Sequence, residues 1–211
     1  MPEQDNVPTR RAFLATATSA AAVVALTAAG TTTARSAPLP LTPTCVDDDD
    51  TPSNIEGPYF KRNSPQRTNL RTPGVTGIVL SLTGFVYTMK CAPIQNALLD
   101  FWQADDRGVY DNTTFKMRGH QFSAATGAYT LETIIPKDYP GRTPHIHVKV
   151  QARNGPILTT QLFFPDNLRA YGMNVAYLNR RDAYLDRECT VALGPLVGNR
   201  YTAKFDFVIE S

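Results

Sequence analysis

Pro144-His145-Ile146-His147-Val148-Lys149-Val150-Gln151-Ala152 and Ile157-Leu158-Thr159-Thr160-Gln161-Leu162-Phe163-Phe164, separated by Arg153-Asn154-Gly155-Pro156, decide the fold. Both stretches are rich in β-branched and aromatic residues, and Asn-Gly is a strong turn signal between two such runs, so they read as the arms of a hairpin. Side chains alternate faces along a strand, so His145 and His147 point the same way while Ile146 points into apolar packing. The turn sets them beside Thr159 and Gln161, or their neighbours, on the returning arm. The chain has three histidines. Two of them on one strand face could together grip a metal ion, although taken alone the pair is equally the pattern of ordinary surface or cross-strand histidines.

Outward from this hairpin, short alternating runs separated by Gly, Pro, Asn and Asp predict further strands at Thr76 to Tyr87, Gln95 to Gln103, Ala128 to Ile135 and Tyr201 to Ile209. A weaker pattern from Asn174 to Asp186 could hold a short helix. The fold class expected is therefore all-β: an antiparallel β-sandwich with long loops and at most short helices. No internal repeat is visible. Lys plus Arg number 21 against 19 Asp plus Glu, with no basic block, which argues against nucleic acid or an anionic membrane as partner.

The start of the chain reads as an address. Thr9-Arg10-Arg11-Ala12-Phe13-Leu14 opens a run rich in Ala and Thr to Ala29, and residues 1–37 match a twin-arginine export signal, with cleavage between Ala34 and Ala37. An N-terminal membrane anchor is the alternative, but Ala and Thr contribute little transfer free energy, so no stable anchor is expected and the location predicted is secreted or periplasmic. Residues 38–50 read as a linker, its run Asp47 to Asp50 as solvated charge, and residues 51–211 as one domain. Of Cys45, Cys91 and Cys189, an odd number for an oxidising compartment, we expect Cys45 to pair with Cys91 and Cys189 to remain a buried thiol, although sequence does not fix connectivity.

Once these segments are placed, their words form a set: Glu56-Gly57-Pro58-Tyr59, Trp102-Gln103-Ala104-Asp105 leading to Gly108-Val109-Tyr110, Arg118-Gly119, Thr133-Ile134-Ile135-Pro136, Tyr139-Pro140, Arg142-Thr143-Pro144-His145-Ile146-His147 and Leu158-Thr159-Thr160-Gln161. In content and order this set resembles the intradiol ring-cleavage dioxygenases, the non-haem iron(III) enzymes that include the catechol and protocatechuate dioxygenases. The resemblance implies metal ligation by Tyr110, Tyr139, His145 and His147, with Tyr139 the tyrosinate that substrate displaces and Tyr110 the one that stays. It implies that Arg142 and Gln161 act beside the substrate ring, and that Ile55, Gly57, Pro58 and Tyr59 line the pocket. The reactants it implies are a small aromatic diol and O2, and the product is a muconate-type diacid. Imidazole with phenolate oxygen is a hard, anionic donor set suited to trivalent iron, whereas structural zinc favours cysteine and histidine.

Three departures stand out. Gln103 follows Trp102 where relatives often carry His, and His120 follows Arg118-Gly119 and reads as a surface histidine in a loop that could supplement a contact near the site. The helical dimerisation segment that precedes the catalytic domain of cytoplasmic catechol dioxygenases is not seen, which removes the basis for transferring their dimer to this chain. Two other readings fit parts of the pattern. A secreted β-sandwich module that binds phenolics or polysaccharide without catalysis predicts the loss of at least one ligand position. A zinc hydrolase built on the two histidines needs a third ligand and a base, which Asp138 or Glu132 would have to supply.

Overall fold

The computed structural model describes residue 45 and residues 49–211. The expected export signal at 1–37 lies outside the described residues, as does most of the expected linker. Among the described residues nine strands and one helix follow in the order β1 (Val79–Thr88), β2 (Leu98–Gln103), β3 (Arg118–Phe122), β4 (Ala128–Ile134), β5 (His145–Gln151), β6 (Ile157–Phe163), α1 (Val175–Arg181), β7 (Ala192–Leu193), β8 (Arg200–Lys204) and β9 (Phe207–Ile209). One sheet runs β4-β1-β8-β7, with β9 also on β1, and the other runs β3-β2-β5-β6. The all-β sandwich with one short helix is as expected. Two pairings differ from the antiparallel expectation, because β8 and β9 both run parallel to β1.

The expected strand at 201–209 is two strands, broken at Phe205 and Asp206, whose carboxylate accepts the Phe85 N–H at 2.9 Å. β3 escaped the sequence reading because Arg118-Gly119-His120-Gln121-Phe122 carries no apolar alternation. It pairs with β2 from Leu98↔Phe122 to Trp102↔Arg118, which corrects the placing of His120: it stands half-buried on a strand, not in a loop. Its Nδ1 lies 2.7 Å from the Ser64 carbonyl, so that nitrogen carries the proton and donates.

Between the sheets lies a core in which Leu80, Leu82, Leu99, Phe101, Ile146, Val148, Val150 and Leu162 are each fully buried. Each such side chain stabilises the fold by about 1.5–3 kcal/mol. The hairpin β5–β6 sets Ile146, Val148 and Val150 toward this core, which leaves His145 and His147 on the other face of the sheet. His147 stands opposite Gln161 on one side and Trp102 on the other. His145 faces Phe163, and Lys149 rather than a histidine faces Thr159. Cys45 and Cys91 form a disulfide with Cα atoms 5.7 Å apart, and Cys189 is a buried free thiol.

Candidate functional site

The two histidines come from a strand, but the two tyrosines come from loops that must be brought to it. Tyr110 follows the loop after β2 and Tyr139 the loop between β4 and β5. Lys137 N–H donates to the Asp105 carbonyl at 3.0 Å, lashing one loop to the other, and Asp105 N–H donates to the Val109 carbonyl at 2.9 Å, closing the first loop on itself. Gly108 makes the approach possible. Its φ is +80°, and a Cβ there would sit 2.4 Å from the Asp138 carbonyl oxygen, so only glycine fits without displacing backbone. Tyr139 opens a turn through Pro140 and Gly141 that closes with Arg142 N–H donating to the Tyr139 carbonyl at 2.9 Å, and thereby sets Arg142 beside the phenol.

Four polar atoms then converge. His145 Nε2 lies 3.3 Å from Tyr110 Oη, 3.4 Å from Tyr139 Oη and 3.1 Å from His147 Nε2. His145 Nδ1 is 2.7 Å from the Thr143 carbonyl, which can only accept, so the proton sits on Nδ1 and the Nε2 lone pair points to the centre. His147 Nδ1 is buried without a hydrogen-bond partner. The His147 ring is stacked on Trp102, with centroids 4.8 Å apart and planes within 6°.

Electrostatically the group is tuned toward neutrality. Burial, helped by Arg142, pushes His145 down to about 3, and burial, with the neighbouring His145, holds His147 well below its usual value. Burial pushes both phenols up, Tyr110 far above the ordinary tyrosine range and Tyr139 above it against the pull of Arg142. Two imidazole nitrogens and two phenol oxygens at these separations make a nitrogen-oxygen donor set that fits a hard cation, which would favour the phenolate forms that burial alone opposes.

Arg142 and Gln161 come together beside this centre. The guanidinium Nη1 donates to Tyr139 Oη at 3.3 Å, and Nη2 donates to Gln161 Oε1. Gln161 Nε2 in turn donates to the Ile55 carbonyl at 2.9 Å and to Asn54 Oδ1 at 3.2 Å, which ties the strand to the segment carrying the expected pocket residues. Ile55 is exposed, and a Cβ on Gly57 would lie 3.5 Å from His147 Cε1. Tyr59 stacks on Tyr110 at 4.4 Å, with Pro58 just before it. A cavity of about 480 Å³ opens beside Asn54, Ile55 and Tyr184, next to Arg142, whose guanidinium lies 5.0 Å from the Tyr184 ring.

Gln103 does not enter the site: its Oε1 accepts from Thr133 at 2.8 Å and its Nε2 donates to the Ile134 carbonyl at 3.0 Å, so it is a buried tie within the fold. His120 bonds to Ser64 rather than to any of the converging side chains. Glu132 is engaged elsewhere, by Arg200 at 2.7 Å and by Ser81 at 2.7 Å. Among the described residues no three His, Cys, Asp or Glu side chains gather as a metal cage, so the third ligand that a zinc hydrolase needs is not supplied by those residue types.

Sequence reading missed three contributors. Trp102 supports His147, and its signal was available, since it is the chain's single Trp on a strand predicted to alternate. Arg118 is buried and donates to the Tyr59 carbonyl at 2.6 Å and the Asp111 carbonyl at 3.0 Å, gripping the backbone beside Tyr59 and Tyr110. Asp182 caps α1 and bonds Arg142 at 3.0 Å; nothing in its local sequence marks it.

A family model described as Dioxygenase matches residues 55–210. Hydroxyquinol 1,2-dioxygenase of Rhizobium sp. (strain MTP-10005) is 26% identical over 189 residues, covering 74% of this chain and 64% of that protein. The protocatechuate 3,4-dioxygenase alpha chain of Pseudomonas putida is 28% identical over 187 residues, covering 76% of this chain and 92% of that one. This chain spans 64% and 53% of the length of the hydroxyquinol and catechol dioxygenases to which it is similar. Among solved structures, the dioxygenase domain of a dioxygenase carbohydrate-binding protein fusion from the cellulolytic bacterium Streptomyces sp. SirexAA-E is 47% identical with a TM-score of 0.69, over 77% of this chain and 99% of that one. An intradiol ring-cleavage dioxygenase from Tetranychus urticae follows at 26% and 0.65, over 76% and 94%. Since the match runs through both sheets and every segment that builds the site, the chain belongs to the intradiol ring-cleavage dioxygenase family.

Proposed function

We propose that this protein is a non-haem iron(III)-dependent intradiol dioxygenase, held together at its centre by Tyr110, Tyr139, His145 and His147, that cleaves a catechol-type ring between its two hydroxylated carbons. The observation that carries the reading is the convergence of two phenol oxygens and the His147 Nε2 on His145 Nε2, each within 3.1 to 3.4 Å of it, on a buried sheet face. Ferric iron, when bound, would supply the electron-withdrawing chemistry that opens a catecholate ring to O2.

The chain's own residues have separable tasks. Tyr110, buried beneath Tyr59, is the phenol that stays in place. Tyr139 would be the second phenolate holding the iron; it is less buried and accepts a hydrogen bond from Arg142, which suits its oxygen to take a proton from the substrate. Arg142 stands ready to stabilise negative charge developing on the ring, preoriented by Gln161 on one side. Ile55, Gly57, Pro58 and Tyr59 form the wall against which the ring lies, with Gly57 leaving the His147 edge uncovered by any side chain. Both atoms of O2 end in the muconate-type diacid.

The test is the visible spectrum of the purified protein before and after anaerobic addition of catechol. A broad tyrosinate-to-iron(III) band that moves to longer wavelength supports the reading, and a protein that remains colourless after iron loading refutes it. We also propose that the chain is exported folded by the twin-arginine route. Replacing Arg10 and Arg11 by Lys should hold the protein in the cytoplasm; unchanged export would overturn this.

A further inference from the structure

Arg142 is held by more than Gln161. Its Nε donates to Asp182 Oδ2 at 3.0 Å and Oδ1 at 3.2 Å, and Asp182 is itself fixed by the Thr143 N–H at 2.9 Å and the Tyr184 N–H at 2.9 Å. The Asp182 side chain is 0% exposed and that of Arg142 10%, so the pair lies out of bulk water, where such a contact is geometrically demanding. The backbone of Asp182 closes α1, its N–H bonding the Leu178 carbonyl. Asn179 in the same helix takes the Thr143 hydroxyl at 2.5 Å. The C-terminal end of α1 is thus bolted to the Arg142-Thr143 step from two sides.

We propose that Asp182 is the positioning residue of the site, acting on the substrate only through Arg142. The inference rests on the dioxygenase reading. A guanidinium has five N–H groups in a rigid plane. One goes from Nε to Asp182, one from Nη1 to Tyr139 and one from Nη2 to Gln161. That leaves one N–H on each Nη, and with Nε pinned the plane can no longer swing them away from the centre. Tyr184, two residues beyond Asp182, lies over the guanidinium at 5.0 Å and blocks rotation out of plane. Without the carboxylate, Gln161 and Tyr139 alone would hold Arg142 by its far edge, and its side chain would be free to turn toward the cavity beside Tyr184.

A double-mutant cycle on the iron-loaded enzyme separates this from a purely structural role. Asp182→Asn keeps the size and loses the charge. It should lower kcat about 10- to 100-fold, while anaerobic catechol affinity, read from the visible band, changes less than about 3-fold. In an Arg142→Ala background the same substitution should change kcat less than about 2-fold, whatever its effect on Tm there. Should Asp182→Asn not fold, Asp182→Glu is read in the same cycle, since it keeps the charge and displaces it. Equal loss of kcat in both backgrounds, or no loss in either, overturns the proposal. A wild-type protein with neither band nor turnover removes the dioxygenase reading itself, and this proposal with it.

Discussion

Gly108→Ala tests whether the two tyrosine loops are brought together by close backbone approach. An alanine at φ +80° costs about 1–2 kcal/mol for its left-handed backbone. Its Cβ would also sit 2.4 Å from the Asp138 carbonyl, so backbone must give, at an overpacking cost of about 1–3 kcal/mol. The sum is about 2–5 kcal/mol, which for a domain of this size lowers Tm by about 4–20 °C. Gly198→Ala is the matched control, because φ there is +59° but nothing lies within 4 Å, leaving about 1–2 kcal/mol from the backbone alone. Thermal unfolding gives the energies, and the visible band after iron loading reads the site. We expect Gly108→Ala to lose more stability than the control and also to weaken or shift the band, whereas Gly198→Ala leaves the band alone. Equal Tm losses with identical bands would refute the argument that Gly108 sets the spacing of Tyr110 and Tyr139.

Other consequences can be checked directly. Tyr139→Phe removes the hydroxyl that Arg142 bonds and should cut turnover of catechol by about 10²-fold or more and alter the visible band; a zinc hydrolase would be nearly indifferent. Burial pushes the Cys189 thiol up to about 11 from 9.0. Below pH 9 both folded and unfolded chains keep that proton, and between pH 9 and 11 only the folded one does. Wild-type stability relative to Cys189→Ala should therefore fall by about 3 kcal/mol across that window, measured by urea unfolding; a flat difference would show the thiol is not shielded. Reducing the Cys45–Cys91 disulfide, which closes a loop with a sequence separation of 46, should cost on the order of 2–4 kcal/mol in the same assay while leaving the band in place.

The parts of this molecule that could be read from its sequence are those whose cause is local. The β5–β6 hairpin announces itself through Asn154-Gly155 and through the alternation that separates Ile146, Val148 and Val150 from the histidines. Tyr110, Tyr139 and Arg142 were legible only as members of an ordered set, because what makes each one part of the site is a contact with another loop. β3 was missed because its pairing depends on β2 and not on its own pattern, and the parallel pairing of β8 and β9 with β1 involves partners more than a hundred residues apart. Asp182 shows the limit most plainly. Its partner, Arg142, lies forty residues earlier in the chain, and neither residue carries a mark of the other.

The parallel pairing has a consequence for the order in which this protein can be made. β1 is complete early in synthesis, yet Val79 to Thr83 wait for Arg200 to Lys204, and Val86 to Thr88 wait for Phe207 to Ile209. The segment that leads to Ile55 and Tyr59 waits too, since Thr51 exchanges hydrogen bonds with Val208, at 2.9 Å in each direction. Contacts so distant in sequence make folding slow, because loop closure must come first. A nascent chain halted before Phe207 would hold every converging side chain and still lack one of the anchors of its pocket wall, the Thr51–Val208 exchange. The site is thus a product of the finished domain, assembled from its two ends inward.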